Sequence, residues 1–283
     1  MAYQVVTPGR LVPLASWVMA TAVFFHAHPD DEAIATGGTM ALMAAAGHRV
    51  VLVTATGGEL GEVAPDVLAA GETLAERRAV ELASACKELG VARHEFLGYR
   101  DSGMAGEPTN DDSVSFWRAD VGEAADRLAA ILSEEGADVL TAYDENGAYG
   151  HPDHIQVHRV GLEAGRRART PRVFMATVNR DHMLELAAAM PEVPGAMDES
   201  QREVMQTIGV HADRITTAVD VSAFLDHKRR AMRAHASQIA DTSFFLSMPE
   251  DAFAKMWGTE WYIHVGRSPS DGIEPSLLGV DEG

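Results

Sequence analysis

Val18-Met19-Ala20-Thr21-Ala22-Val23-Phe24-Phe25 is an apolar, β-prone run that delivers the chain into His28-Pro29-Asp30-Asp31-Glu32. The same order returns later. Asp138-Val139-Leu140-Thr141-Ala142-Tyr143 reads as a buried strand, and His151-Pro152-Asp153-His154 follows it. Strand and helix patterns alternate around these two stretches. Val50–Thr54, His94–Gly98 and Arg172–Ala176 read as further strands. Helical periodicity falls at Ala33–Ala46 before Gly47, Thr73–Leu89 before Gly90, Val114–Leu132 and His154–Ala168. Such alternation predicts a Rossmann-like α/β domain, a mostly parallel sheet flanked by helices. Ligands in sheets of this kind sit beyond the carboxyl ends of the strands, where both histidine motifs fall.

The last third reads as a smaller, irregular part. Pro191–Ala212 suggests a mobile loop or short helices, Ile215–Val219 an edge strand, Val221–Ile239 an amphipathic helix and Glu260–Val265 a last strand. We expect a single domain over residues 1–267 with an N-terminal arm at 1–16, then a flexible tail at 268–283 rich in Pro, Gly and Ser.

Composition narrows the function. A chain of 283 residues with 46% hydrophobic residues can bury a sizeable core, and its net charge of -19 repels nucleic acid and anionic membranes alike. Its one cysteine, Cys86, falls in a helical pattern and reads as a buried, inert thiol. Leu11–Phe25 after Arg10 weakly imitates a signal peptide, yet cleavage at Ala20-Thr21-Ala22 would cut the strand that presents the first motif. No segment reaches the ~18 uninterrupted apolar residues of a membrane span. A cytoplasmic enzyme is expected, acting on a small molecule; a homo-oligomer is compatible with the sequence. The first strand lacks a following GxGxxG, and neither GxxxxGK[ST] nor GxSxG occurs, which removes dinucleotide, P-loop and serine-hydrolase readings.

Hydrolytic zinc takes three protein ligands and leaves a fourth position for water. His28 and Asp31, three apart at a strand end, can converge with His154 from a later strand end to hold one Zn²⁺ or another divalent metal. Asp30, beside a ligand, is placed as general base. His151 is placed to protonate a leaving amine or stabilise an oxyanion, and Asp153 to accept a hydrogen bond from a histidine and fix its tautomer. His48, His94, His182 and His211 read as surface residues, His26 as core or supporting, and His235 as ambiguous. On residue type alone, Arg78 reads as an exposed helix salt bridge with Glu81 or nearby acids, and Asp101 as a turn residue.

Ala27–Glu32 (AHPDDE), Thr56–Glu62 (TGGELGE), Arg78–Glu81 (RAVE), Arg100–Met104 (RDSGM) and Tyr149–His154 (YGHPDH) resemble the LmbE/PIG-L zinc-dependent N-acetylglucosaminyl deacetylases. The chain is most similar to the mycothiol-pathway branch, which holds the GlcNAc-inositol deacetylase and the mycothiol S-conjugate amidase. The resemblance implies one α/β domain, His28, Asp31 and His154 as zinc ligands, Asp30 as base, and His151 backed by Asp153 at the leaving group or tetrahedral intermediate. It also implies a mobile Tyr149 over the acyl oxygen, Arg78 and Asp101 on the glucosamine hydroxyls, and Glu62 near the aglycone. His235-Ala236-Ser237-Gln238 resembles a late family motif at the site rim. The amidase branch carries lysine where this chain has Ala35, which disfavours a thiol conjugate. Expected, then, is zinc-dependent hydrolysis of an N-acetylglucosaminyl amide. An amidase for a larger cysteinyl group and a non-catalytic sugar-binding protein are the alternatives.

Overall fold

The computed structural model describes residues 3–7, 10–13, 19–63, 67–189 and 206–279. An antiparallel pair, β1 (Tyr3–Thr7) and β2 (Arg10–Pro13), occupies most of the expected N-terminal arm. The core is a seven-stranded sheet. In chain order its strands are β3 (Thr21–His26), β4 (Arg49–Thr56), β5 (Arg93–Tyr99), β6 (Val139–Tyr143), β7 (Arg172–Thr177), β8 (Thr217–Asp220) and β9 (Thr259–His264). They lie side by side as β5-β4-β3-β6-β7-β9-β8. The first five are parallel, and β9 joins β7 and β8 antiparallel.

Burial explains the order. β6 is buried at every residue, and β3 and β4 at all but their first, as expected for strands covered on both faces. Edge strand β5 opens on the polar run Arg93-His94-Glu95, and only Leu97 in it is buried. From β3 the chain winds outward to β4 and β5, then returns to β6 and winds the other way. The topological switch point therefore lies between β3 and β6, and the crevice that ligands use opens beyond their carboxyl ends.

Helices α1 (Asp31–Ala35), α2 (Gly37–Ala45), α3 (Leu74–Leu89), α4 (Val121–Glu135), α5 (Gly147–Gly150), α6 (Pro152–Ala168), α7 (Arg180–Ala189), α8 (Leu225–Ala234), α9 (Phe244–Ser247) and α10 (Glu250–Trp257) complete the described fold. Local signals end several of them. Thr73 and Glu76 form a capping box on α3, and Gly90 closes it in the left-handed region at φ 71. Gly161 lets α6 lie against β6, because a Cβ there would meet that of Ala142 at 2.6 Å.

Four segments depart most from expectation. The helix read over 33–46 breaks at Thr36 (φ −136), because the amides of Gly38 and Thr39 bond Glu260 of β9, each at 2.8 Å, and start α2 afresh. The helix read from Val114 begins at Val121, where Asp120 caps it through the Glu123 amide. The helix read over 221–239 ends at Ala234. Residues 268–279, expected to be a loose tail, are docked. Glu274 exchanges backbone hydrogen bonds with Thr216 and Ala218 and binds Arg172 at 2.6 Å, and Leu277 is buried. Of the 191–212 stretch, residues 191–205 lie outside the described residues. Among the described residues no helix is long and apolar enough to cross a membrane.

Candidate active site

Both histidine motifs meet at the switch point. The ring of His28 lies 4.7 Å from that of His151 and 5.4 Å from that of His154. Asp31 binds the His28 amide through Oδ2 at 2.9 Å, and the same oxygen lies 3.4 Å from His28 Nδ1 and 3.3 Å from His154 Nε2. Two ligands on one tetrahedral zinc, at bonds near 2.0–2.1 Å, would stand about 3.4 Å apart. His154 is buried, and neither of its ring nitrogens has a hydrogen-bond partner. Buried polar atoms are rarely left so, and a metal between His28, Asp31 and His154 would satisfy Nε2, the nitrogen that faces Asp31. Charge agrees. Burial opposes ionisation of Asp31, but His154 and His28 hold its carboxyl well below the usual range.

Donors that all lie within 4.8 Å of one another form two groups that leave Asp31 out, His28–His151–His154 and His28–Asp101–Asp153. Hydrogen bonds already account for much of them. His151 Nδ1 accepts from the Asp153 amide at 3.1 Å. Asp153 accepts from His28 Nε2 at 3.1 Å, from the Ser102 amide at 3.0 Å and from the Ser102 hydroxyl. Asp101 accepts from the amides of Gly103 (2.9 Å) and Leu60 (3.1 Å). The carboxylate of Asp153 therefore stands behind His28 of the other motif, where the resemblance put it behind His151. This is the carboxylate–histidine arrangement that orients a metal ligand.

Asp30 sits at φ 108, a left-handed backbone rare for a side-chain-bearing residue. Its amide donates to Glu32 Oε2 at 2.9 Å, and its carboxylate lies 3.3 Å from Arg78. Burial pushes the Asp30 carboxyl up to about 6 against the pull of Arg78. Arg78 itself is buried, not exposed, and donates to the carbonyls of Gly58 (2.7 Å) and Pro29. Glu81, its expected partner, instead accepts from the amide and hydroxyl of Ser237 at 2.9 and 2.7 Å. Arg78 thus ties two site loops together.

Tyr149 is 43% exposed on the turn of α5, edge-on to His154 at 4.9 Å. Asp144 shapes that turn by accepting from the Asn146 and Ala148 amides, and Ala148 lies at φ 62. Glu62 is exposed at the rim, where its carbonyl accepts from Gln238 at 3.1 Å. Burial and the neighbouring histidines push His151 down to about 4. Cys86 is buried, and its thiol is pushed up to about 12.

Residue-type reasoning missed two supports. Tyr143 stacks on His154 at 4.5 Å and shares a 2.6 Å hydrogen bond with His26, whose other nitrogen meets Thr36 at 2.8 Å. Its place at the carboxyl end of β6 was the available signal. Glu32 is fully buried and bound to His235 at 2.6 Å, a contact spanning 203 residues that no local pattern marks.

Comparisons with known proteins show the family. Residues 23–165 match the family model described as PIG-L, GlcNAc-PI de-N-acetylase. A protein of Acidothermus cellulolyticus is 44% identical over 273 residues, covering 90% of this chain and 94% of its own. One of Thermobifida fusca is 44% identical over 276 residues, covering 89% and 96%. Both are named 1D-myo-inositol 2-acetamido-2-deoxy-alpha-D-glucopyranoside deacetylase. Among solved structures, the A40926 pseudoaglycone deacetylase superposes with TM-score 0.56 at 17% identity, covering 88% of this chain and all (100%) of that one. A 4-carboxy-2-hydroxymuconate hydratase from Pseudomonas putida gives 0.53 at 18%, covering 88% and 97%. At those identities the superpositions speak for the fold alone, and a hydratase on it shows that the fold does not choose the reaction. On its sequence relatives and the matched family model, the chain belongs to the GlcNAc-PI de-N-acetylase family.

Proposed function

We propose that the chain removes the N-acetyl group from a 2-acetamido-2-deoxyglucopyranoside, releasing acetate and a free amino sugar, with zinc held by His28, Asp31 and His154. The inositol glycoside named for its relatives is the substrate we assign. The observation that carries the reading is the pair of 3.3–3.4 Å separations around Asp31 Oδ2, next to Asp30 with its backbone at φ 108. A metal bound there supplies a Lewis acid and brings the pKa of a water toward ~7.

The chain's own groups do the rest. As the water oxygen bonds to the acetyl carbon, Asp30 accepts its proton. The C–N bond then breaks, and that proton passes from Asp30 to the departing nitrogen. Because the Asp153 amide occupies His151 Nδ1, the neutral ring keeps its proton on Nε2. It donates from there to the oxygen that gains negative charge, which favours oxyanion stabilisation over protonation of the amine. Tyr149 adds a second donor over the acyl oxygen. Asp101 accepts a sugar hydroxyl on the lone pairs its two amides leave free, and Glu62 meets the aglycone at the rim. Arg78 acts on the sugar side mainly by holding Asp30 and the Gly58 loop.

A larger cysteinyl amide has less support, since Ala35 packs on the core at the end of α1 and supplies no cation. A base with a paired donor also favours turnover over simple sugar binding. The acidic surface and single buried thiol support a cytoplasmic location. The test is free-amine release from a panel of N-acetylglucosaminides before and after chelation. Activity should vanish on stripping and return with zinc; full turnover by metal-free protein overturns the reading.

A further inference from the structure

Helix α8 grips the one-turn helix that carries the first motif. Lys228 and His235 stand seven residues apart, two turns on one face. Lys228 donates to the carbonyl of Ile34 at 2.7 Å, near the carboxyl end of α1, and pairs with Glu260 at 2.5 Å. At the other end His235 Nε2 meets Glu32 Oε1 at 2.6 Å, and Glu32 Oε2 accepts the Asp30 amide at 2.9 Å. The three side chains in this chain of contacts, Lys228 of α8, His235 at its carboxyl-terminal cap and Glu32 of α1, are wholly buried. Next to His235, Ser237 is fastened to Glu81 of α3, one turn beyond Arg78, which itself holds Pro29 and Asp30. Asp30 at φ 108 is thus gripped from two sides. A residue in that region persists only where its surroundings over-determine it.

From this geometry we infer that His235 is a positioning residue for the reaction: by donating to Glu32 it fixes the carboxylate that holds the Asp30 amide, and so keeps the base aimed at the water. The inference rests on Asp30 being the base. It assigns His235 no contact with substrate or metal. Loss of its N–H would leave Glu32 free to turn toward other donors and Asp30 free to relax. A misplacement of about 1 Å can cost ~10²-fold in rate.

The experiment uses the full chain loaded with zinc. His235→Leu fills the volume without a donor, and His235→Gln restores an N–H near the Nε2 position. For each, kcat and KM on an N-acetylglucosaminide are measured with zinc content and with thermal unfolding of the metal-stripped protein. His235→Leu should lose ~10²-fold in kcat with KM and zinc content close to wild type. His235→Gln should recover at least about tenfold of that loss. Wild-type kcat in His235→Leu, equal losses in both variants, or a loss that follows zinc content would overturn the inference. Should His235→Leu fail to fold, His235→Asn, too short to reach Glu32, replaces it, and Gln must exceed Asn. Asp30→Asn is run alongside. If it keeps wild-type turnover, the base assignment falls and the inference with it; if it is inactive, the His235 comparison alone decides.

Discussion

Replacing Asp153 by asparagine tests whether the carboxylate of one motif serves the metal ligand of the other. Asp153 Oδ2 receives His28 Nε2 at 3.1 Å and the Ser102 amide at 3.0 Å, while Oδ1 receives the Ser102 hydroxyl. An asparagine can keep its oxygen toward His28 only by turning its NH₂ toward Ser102 Oγ. That hydroxyl already accepts from the Trp117 amide at 2.9 Å, and Ser102 is fully buried. Its proton would lose its acceptor, at a cost of about 1–3 kcal/mol in stability. His28 would meanwhile exchange an ionised acceptor for a neutral one. Outer-shell changes of this kind weaken metal binding by ~10–100-fold, or about 1.4–2.8 kcal/mol. Competition with a chromogenic chelator reads the zinc affinity directly, without turnover. Asp101→Asn is the control, since Asp101 lies 3.6 Å from His28 Nε2 and is held by backbone amides; its effect should be smaller. Zinc affinity in Asp153→Asn within about threefold of wild type would refute the reasoning, because the loss of an outer-shell partner weakens metal binding by about tenfold or more.

Arg78→Lys keeps the charge and loses the fork that reaches both Gly58 and Pro29, so urea unfolding should show a loss of about 1.5–3 kcal/mol. A raised KM at unchanged stability would instead make Arg78 chiefly a sugar-binding residue. Glu135, bonded to Arg49 and Arg93 at the end of α4, is held down to about 2 by Arg49, with burial opposing and Arg93 assisting. A depressed carboxyl stabilises above its unfolded pKa and loses that contribution as pH falls through the folded value. Glu135→Gln should therefore lower the Tm at pH 7, and the deficit should fade toward pH 2; with Arg49 40% exposed on its side chain, the effect should stay near ~1 kcal/mol or less. Finally, kcat/KM for an N-acetylglucosaminide should exceed that for the matching cysteinyl conjugate by about tenfold, or ~1.4 kcal/mol, and Ala35→Lys should narrow the gap; a wild-type preference for the conjugate would reverse the assignment.

The parts of this site legible in sequence share one property: each is written in consecutive residues at a strand end. The apolar run to Phe25 and the run to Tyr143 announced central strands, and the motifs after them had nowhere to go but the crevice between β3 and β6. Cys86 and His26 also behaved as their surroundings suggested, the first buried with its thiol pushed up to about 12, the second bonded to Tyr143 and Thr36 beneath the site. What escaped were contacts made by carboxylates across long separations. Glu260 starts α2 from 222 residues away, and no propensity in Ala33–Ala46 foretells a break at Thr36. Glu274 turns an unpatterned tail into a docked segment in the same way.

The misreading of Arg78 has the most to teach about the chemistry. Spacing along α3 paired it with Glu81, three residues on, as a surface ion pair, while the resemblance assigned it to the sugar. Both readings follow one residue at a time, whereas the fold uses the two as adjacent rungs. Glu81 holds Ser237 and with it the segment of His235; Arg78 holds Pro29 and Asp30. One face of α3 therefore fastens both the loop that bears Asp30 and the distant segment that bears His235. A strained backbone at Asp30 needs such over-determination, and the strain sits at the carboxylate where a rigid aim matters most.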